Sequence, residues 1–191
     1  MADYQQDWEF LRAAVPELQS YLLSNDLYRP LKLTAATPGA RQTPQLSIGN
    51  VALSQRRLTE TMVVGQEQAA MTDLGEQIAA IRESWRANWA KKAAREYSSR
   101  LNLWQQYLRE LRGDPAQQRA YYANEVRNRA ILSLLELELL EGVPDHEREQ
   151  LEMLDKILRG LTEPAEFVWD SQAADAFPRE EFWFLYAAVR G

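Results

Sequence analysis

The sequence predicts an all-α fold, and three observations carry that prediction. Residues 76–112 contain neither Gly nor Pro. From Leu74 to Leu111 apolar side chains recur in ten steps that span 37 residues, a mean of 3.7, which is the period of one helix face. Gly113-Asp114-Pro115 then reads as a helix stop and restart, with Gly past the end and Pro at the first position of the next helix. The expected architecture is a long antiparallel helical hairpin, about 66–112 and 115–142, with shorter helices from both ends packed on it. One domain is expected over 1–191.

The first helix is expected over residues 3–24. Tyr4, Trp8, Leu11, Val15, Leu18 and Leu22 make its apolar stripe. Pro16 either kinks it or opens a second helix. Residues 25–43 hold Pro30, Pro38 and Gly39 and form an irregular connection. Within it Tyr28 to Thr34 has extended character, with no partner strand evident nearby. Thr43-Pro44 has the chemistry of a helix start. That helix is expected to reach about Thr61, with Leu46, Val51, Leu58 and Met62 inward and Gly65 marking its end.

The long helix places Leu74, Ile78, Ile81, Trp85, Trp89, Ala93, Tyr97, Leu101, Trp104, Leu108 and Leu111 on one face. A left-handed coiled coil needs a period of 3.5, so the pattern fits a nearly straight helix. About 45 residues at 1.5 Å each would span roughly 70 Å. Such a helix must project, pair with a second copy, or break near Gly75. Asp114 can cap the returning arm, whose apolar positions are Tyr122, Val126, Leu132, Leu135 and Leu139. Asp145 is expected to cap a further helix ending near Gly160. Residues 162–178 read as a loop anchored by Phe167 and Trp169. Pro178 opens a last short helix that ends in Phe182, Trp183, Leu185 and Tyr186.

Composition narrows the chemistry. The chain has 22 basic and 28 acidic residues, a net charge of −6, which argues against general nucleic-acid binding. It has no Cys, which removes thiolate nucleophiles, disulfides and cysteine metal sites. No signal peptide is evident at the N-terminus. No apolar run approaches the roughly 18 residues of a membrane span. These features point to a cytoplasmic protein with no membrane contact.

The single His, His146, cannot supply a His-rich zinc site or the paired motifs of a di-iron bundle, and it reads as an exposed residue of a first helical turn. The acids of 136–152 fall on several helix faces and read as a solvated acidic end. No phosphate-binding glycine loop and no nucleophile elbow occurs. No catalytic residue, cofactor or metal is therefore assigned.

Residues 82–112 carry eight basic and three acidic residues, a net of +5 that leaves −11 for the rest. Aromatic rings interleave with these cations, but most lie on the apolar stripe and belong to the core. Their neighbours can rest on the rings and pair with acids of other helices. Glu96–Arg100 and Glu125–Arg129 have the spacing of such pairs. The candidate cluster is Arg95, Arg100 and Trp104 with Tyr121, Tyr122, Glu125 and Arg129, joined by Asn128. It is either a pocket for an anionic small molecule or a polar network that fixes helix register. The expected function is a non-enzymatic helical interaction or scaffold protein, self-associating, a dimer in the simplest case. A protein partner is compatible with this. The alternative is an anionic-ligand binding protein using the Arg/Tyr/Trp face of the hairpin.

Overall fold

The computed structural model describes residues 2–31, 45–59 and 66–191. The fold is all-α. Among the described residues there are seven α-helices: α1 (Ala2–Leu23), α2 (Ile48–Thr59), α3 (Gln66–Ser84), α4 (Arg86–Gly113), α5 (Pro115–Gln118), α6 (Tyr122–Glu136) and α7 (Asp145–Leu161). Two three-residue strands, β1 (Thr162–Pro164) and β2 (Ala187–Val189), pair antiparallel, with Thr162 opposite Val189. The chain divides into two compact units, Met1–Glu96 and Tyr97–Gly191. The division falls inside α4, where the sequence has no linker.

In the first unit α1 runs through Pro16 as one helix. It buries Phe10, Leu11, Ala14, Val15, Leu18, Tyr21 and Leu22, while Pro16 stays exposed. α1 packs on α2 and α3. The second helix begins at Ile48, later than Thr43-Pro44 suggested. Ser47 caps it, because Asn50 N–H donates to the Ser47 hydroxyl at 3.2 Å. Thr43, Pro44, Met62 and Gly65 lie outside the described residues, as does the side chain of Tyr4. The extended piece near Tyr28 does find a partner. Arg29 and Leu46 exchange two backbone hydrogen bonds, at 3.0 and 2.7 Å. That partner lies too far along the chain for local pattern to reveal it.

The long helix is interrupted at Trp85 and not at Gly75. Helical bonding still passes through this residue, with Trp85 N–H on Ile81 O at 2.9 Å and Trp89 N–H on Trp85 O at 2.8 Å. Neither Pro nor Gly stands there, so the break leaves no mark in the sequence. From Trp89 onward the expected stripe is buried: Trp89, Ala93, Tyr97, Leu101, Trp104, Leu108 and Leu111. Before it, Ile78 is buried while Leu74, Ile81 and Trp85 are half-exposed.

In the second unit Asp114 caps α5, accepting from Gln117 N–H at 3.1 Å, with Pro115 in the first turn. The helical stretch after Pro115 is shorter than expected and has three pieces: α5, a 3₁₀ turn over Arg119–Tyr121, and α6. It stops at Glu136 instead of Gly142. Leu137 and Glu138 N–H turn back to the carbonyls three residues earlier, which tightens the end. Gly142 then takes a φ of +73°, a conformation glycine adopts without Cβ strain. α7 starts at Asp145 itself, with Pro144 at the cap.

The C-terminal segment is corrected most. Pro178 opens a single turn, a 3₁₀ turn covers Trp183–Tyr186, and β2 follows where a last helix was expected. The reason is tertiary: Ala187–Val189 meets β1, which precedes it by more than twenty residues. Phe167 and Trp169 anchor the intervening segment. Phe167 packs on Tyr186 at 5.1 Å and on Phe177 at 6.1 Å, and Trp169 Nε1–H donates to Ala123 O at 2.8 Å.

Candidate functional site

The seven predicted residues fall in both units. Arg95 belongs to the first unit, where it is exposed and reaches the Asn25 carbonyl at 3.4 Å. The other six belong to the second. Trp104 has no exposed surface and stacks on Tyr107 with centroids 5.6 Å apart. Tyr122 is buried and donates to Phe184 O at 2.7 Å. Burial first, then the neighbouring Tyr107 and Asp155, raises its phenol pKa.

Arg129 is the most constrained of the set. Nε and Nη2 donate to the two oxygens of Asp155 at 2.8 and 2.9 Å, and Nη1 donates to Ser133 Oγ at 2.7 Å. Its guanidinium also lies 4.5 Å from the Phe184 ring. This is the bidentate geometry for which arginine is suited. Its acid is Asp155 of α7 and not the sequence neighbour Glu125.

Arg100, Asn128 and Glu125 form a short chain. Arg100 donates to Asn128 Oδ1 at 2.9 Å, and Asn128 Nδ2 donates to Glu125 at 3.4 Å. Glu125 in turn faces a groove of about 420 Å³, lined also by Leu103, Gln106, Tyr107, Glu110 and Tyr121. Leu103 is 44% exposed and Tyr121 52%, so both side chains present surface to solvent. Gln106 donates to Glu110 at 3.1 Å. Burial first, and Glu110 second, raises the Glu125 carboxyl pKa above its ordinary range. Glu110 and Glu125 give the groove two acidic side chains.

Cationic and aromatic side chains meet elsewhere in the second unit. A cleft of about 330 Å³ beside β1 and β2 is lined by Arg159, Arg179, Arg190, Trp183, Tyr186 and Glu163, among others. Arg159 lies 3.7 Å from the Trp183 ring centroid, and Arg179 lies 4.6 Å from that of Tyr186. Arg190 Nε donates to Thr162 O at 3.0 Å, and Arg179 Nη2 donates to Ala165 O at 3.2 Å. These arginines come from α7, the Pro178 turn and the end of β2. Sequence reasoning missed them because they are isolated along the chain. The only local signal was Arg179 and Arg190 on either side of the Phe182–Tyr186 aromatic run.

In the first unit the most buried polar site is structural. Glu96 is fully buried and accepts from Ser47 Oγ at 2.7 Å and Gly49 N–H at 2.8 Å. A carboxylate thus sits on the N-terminus of α2, where free N–H groups and the helix dipole favour it. Nearby, Lys92 donates to the Asp26 carbonyl and lies 4.3 Å from the Tyr21 ring. Burial first, then Arg95, lowers its pKa.

His146 is exposed in the first turn of α7. Among the described residues no group of three or more His, Asp or Glu is placed to hold a metal ion, and no helix is long and apolar enough to cross a membrane. No protein-family model matches the chain, and no curated protein or solved structure matches it.

Proposed function

We propose that the protein is a non-enzymatic helical interaction protein that self-associates through the groove between the end of α4 and the α5–α6 arm. The observation that carries this is the pairing of exposed Leu103 and Tyr121 with two carboxylates, Glu110 and Glu125, in one concavity. Apolar anchors beside charge are the chemistry of a recognition surface. The chain itself offers the complement. Arg82, Arg86, Lys91 and Arg95 are exposed, so the basic flank of one copy can meet the acidic groove of another. The absence of Cys from the chain suits a cytoplasmic setting.

The alternative of an anionic ligand on the hairpin face has less support. Arg129 and Tyr122 are taken up by contacts within their own unit, Trp104 has no exposed surface, and the groove beside Tyr121 is lined by Glu110 and Glu125.

Sedimentation velocity over a wide concentration range tests the proposal. Association is expected, and Leu103→Ser with Tyr121→Ser should abolish it while the thermal midpoint stays unchanged. A wild-type chain that remains monomeric throughout would overturn it.

A further inference from the structure

We propose that the cleft beside the β1–β2 pair is a binding site for a small dianion, a phosphate monoester or a dicarboxylate. The proposal is independent of the self-association groove, which shares no residue with it.

Arg159, Arg179 and Arg190 line the cleft with one acid, Glu163, so its lining side chains carry a net formal charge of +2. No salt bridge to Arg159, Arg179 or Arg190 occurs among the described residues, and the acids Asp175 and Glu180, which act on Tyr186 together with Arg179, do not line the cleft. A ligand of two negative charges balances that excess. The volume of about 330 Å³ lies at the small end of ligand pockets, which sets the size class.

The arginines are also held in position without using up their donors. A guanidinium has five N–H groups. Nothing among the described residues accepts a hydrogen bond from Arg159, which is fixed by its stack on Trp183. Arg179 is fixed by Tyr186 and by one bond to the Ala165 carbonyl. Arg190 is fixed by one bond through Nε to the Thr162 carbonyl, which leaves both terminal nitrogens of its fork. Stacking orients a guanidinium plane while its edge remains able to donate, and a planar fork matches carboxylate or phosphate oxygens two at a time. Fixing the side chains beforehand lowers the ordering entropy lost on binding. Two arginines stacked on rings could serve only to pack the strand pair, but packing does not require three like charges around one cavity.

Isothermal titration calorimetry on the full chain at low salt tests this with two probes, phenyl phosphate and succinate. Saturable binding of either probe supports the site. Phenyl phosphate alone identifies a phosphate ester, and succinate alone identifies a dicarboxylate. Arg159→Gln and Arg179→Gln should each weaken binding about 10-fold or more, the worth of one charge-assisted hydrogen bond. Glu163→Gln should tighten it several-fold by removing the like charge. No heat with either probe overturns the proposal, as does binding that both arginine variants retain at wild-type strength. An arginine variant that fails to fold does not remove the test, because Glu163→Gln leaves all three arginines in place and its affinity must still rise. None of these outcomes bears on the sedimentation of the Leu103 and Tyr121 variants.

Discussion

Single side chains decide how both units close. Glu96 ties α4 to the start of α2, and the two groups it satisfies are buried with it. Glu96→Ala should cost about 2–4 kcal/mol, because charge-assisted bonds are lost and buried donors are left without partners. Urea unfolding measures this, and a loss below about 0.5 kcal/mol would show that α2 needs no such cap. Arg129 makes the matching case in the second unit. Its pair with Asp155 is nearly closed off from water, with side chains 10% and 20% exposed. Arg129→Met should therefore destabilise by about 3 kcal/mol, since Asp155 keeps its charge without the partner. Adding Asp155→Leu should recover much of the loss, because an apolar pair can replace a buried ion pair. If the double variant is no more stable than the single one, the loss lies in the Ser133 and Phe184 contacts instead.

Elements show where local pattern is sufficient. The second half of α4 buries the face its spacing selects, α1 buries Leu11, Val15, Leu18 and Leu22 of its stripe while Trp8 is half-buried, and Asp114 caps α5 as its chemistry dictates. Where two elements face each other, new electrostatics appear. Glu125 of α6 and Glu110 of α4 share the groove, and this with burial raises the Glu125 carboxyl above its ordinary 4.5. The folded chain then holds that proton more tightly than the unfolded chain does. Its contribution is present below the unfolded value and is lost as pH climbs through the raised native value. Glu125→Gln should remove that decline. The stability difference between variant and wild type should grow with pH across this window and level off above it. Stepped-pH denaturation tests the sign, and a difference constant with pH would place the effect in packing rather than charge.

Across the whole molecule charge is unevenly spread. Residues 82–112 carry +5 and the remainder −11, so the chain holds regions of opposite sign while its net charge of −6 opposes non-specific contact. The association proposed above should accordingly weaken as salt rises, because exposed charges beyond roughly 8–10 Å are screened at physiological ionic strength. Reversing Glu110 and Glu125 to Lys should break it. Association that is indifferent to salt would assign it to Leu103 and Tyr121 alone.

The sequence by itself determined the helical class, most helix faces and the turn at Gly113-Asp114-Pro115. These depend on period and on capping chemistry, which are local. The interruption at Trp85 and the early stop at Glu136 had no Pro or Gly to announce them. Within the predicted set, pair formation is settled by which helix lies opposite. Arg129 therefore meets Asp155 rather than Glu125. Tertiary structure alone produced the β1–β2 pair, the Glu96 cap on α2 and the arginine–aromatic cleft. Each joins residues more than twenty positions apart, and a distance of that kind is fixed by how elements pack, not by any pattern along the chain.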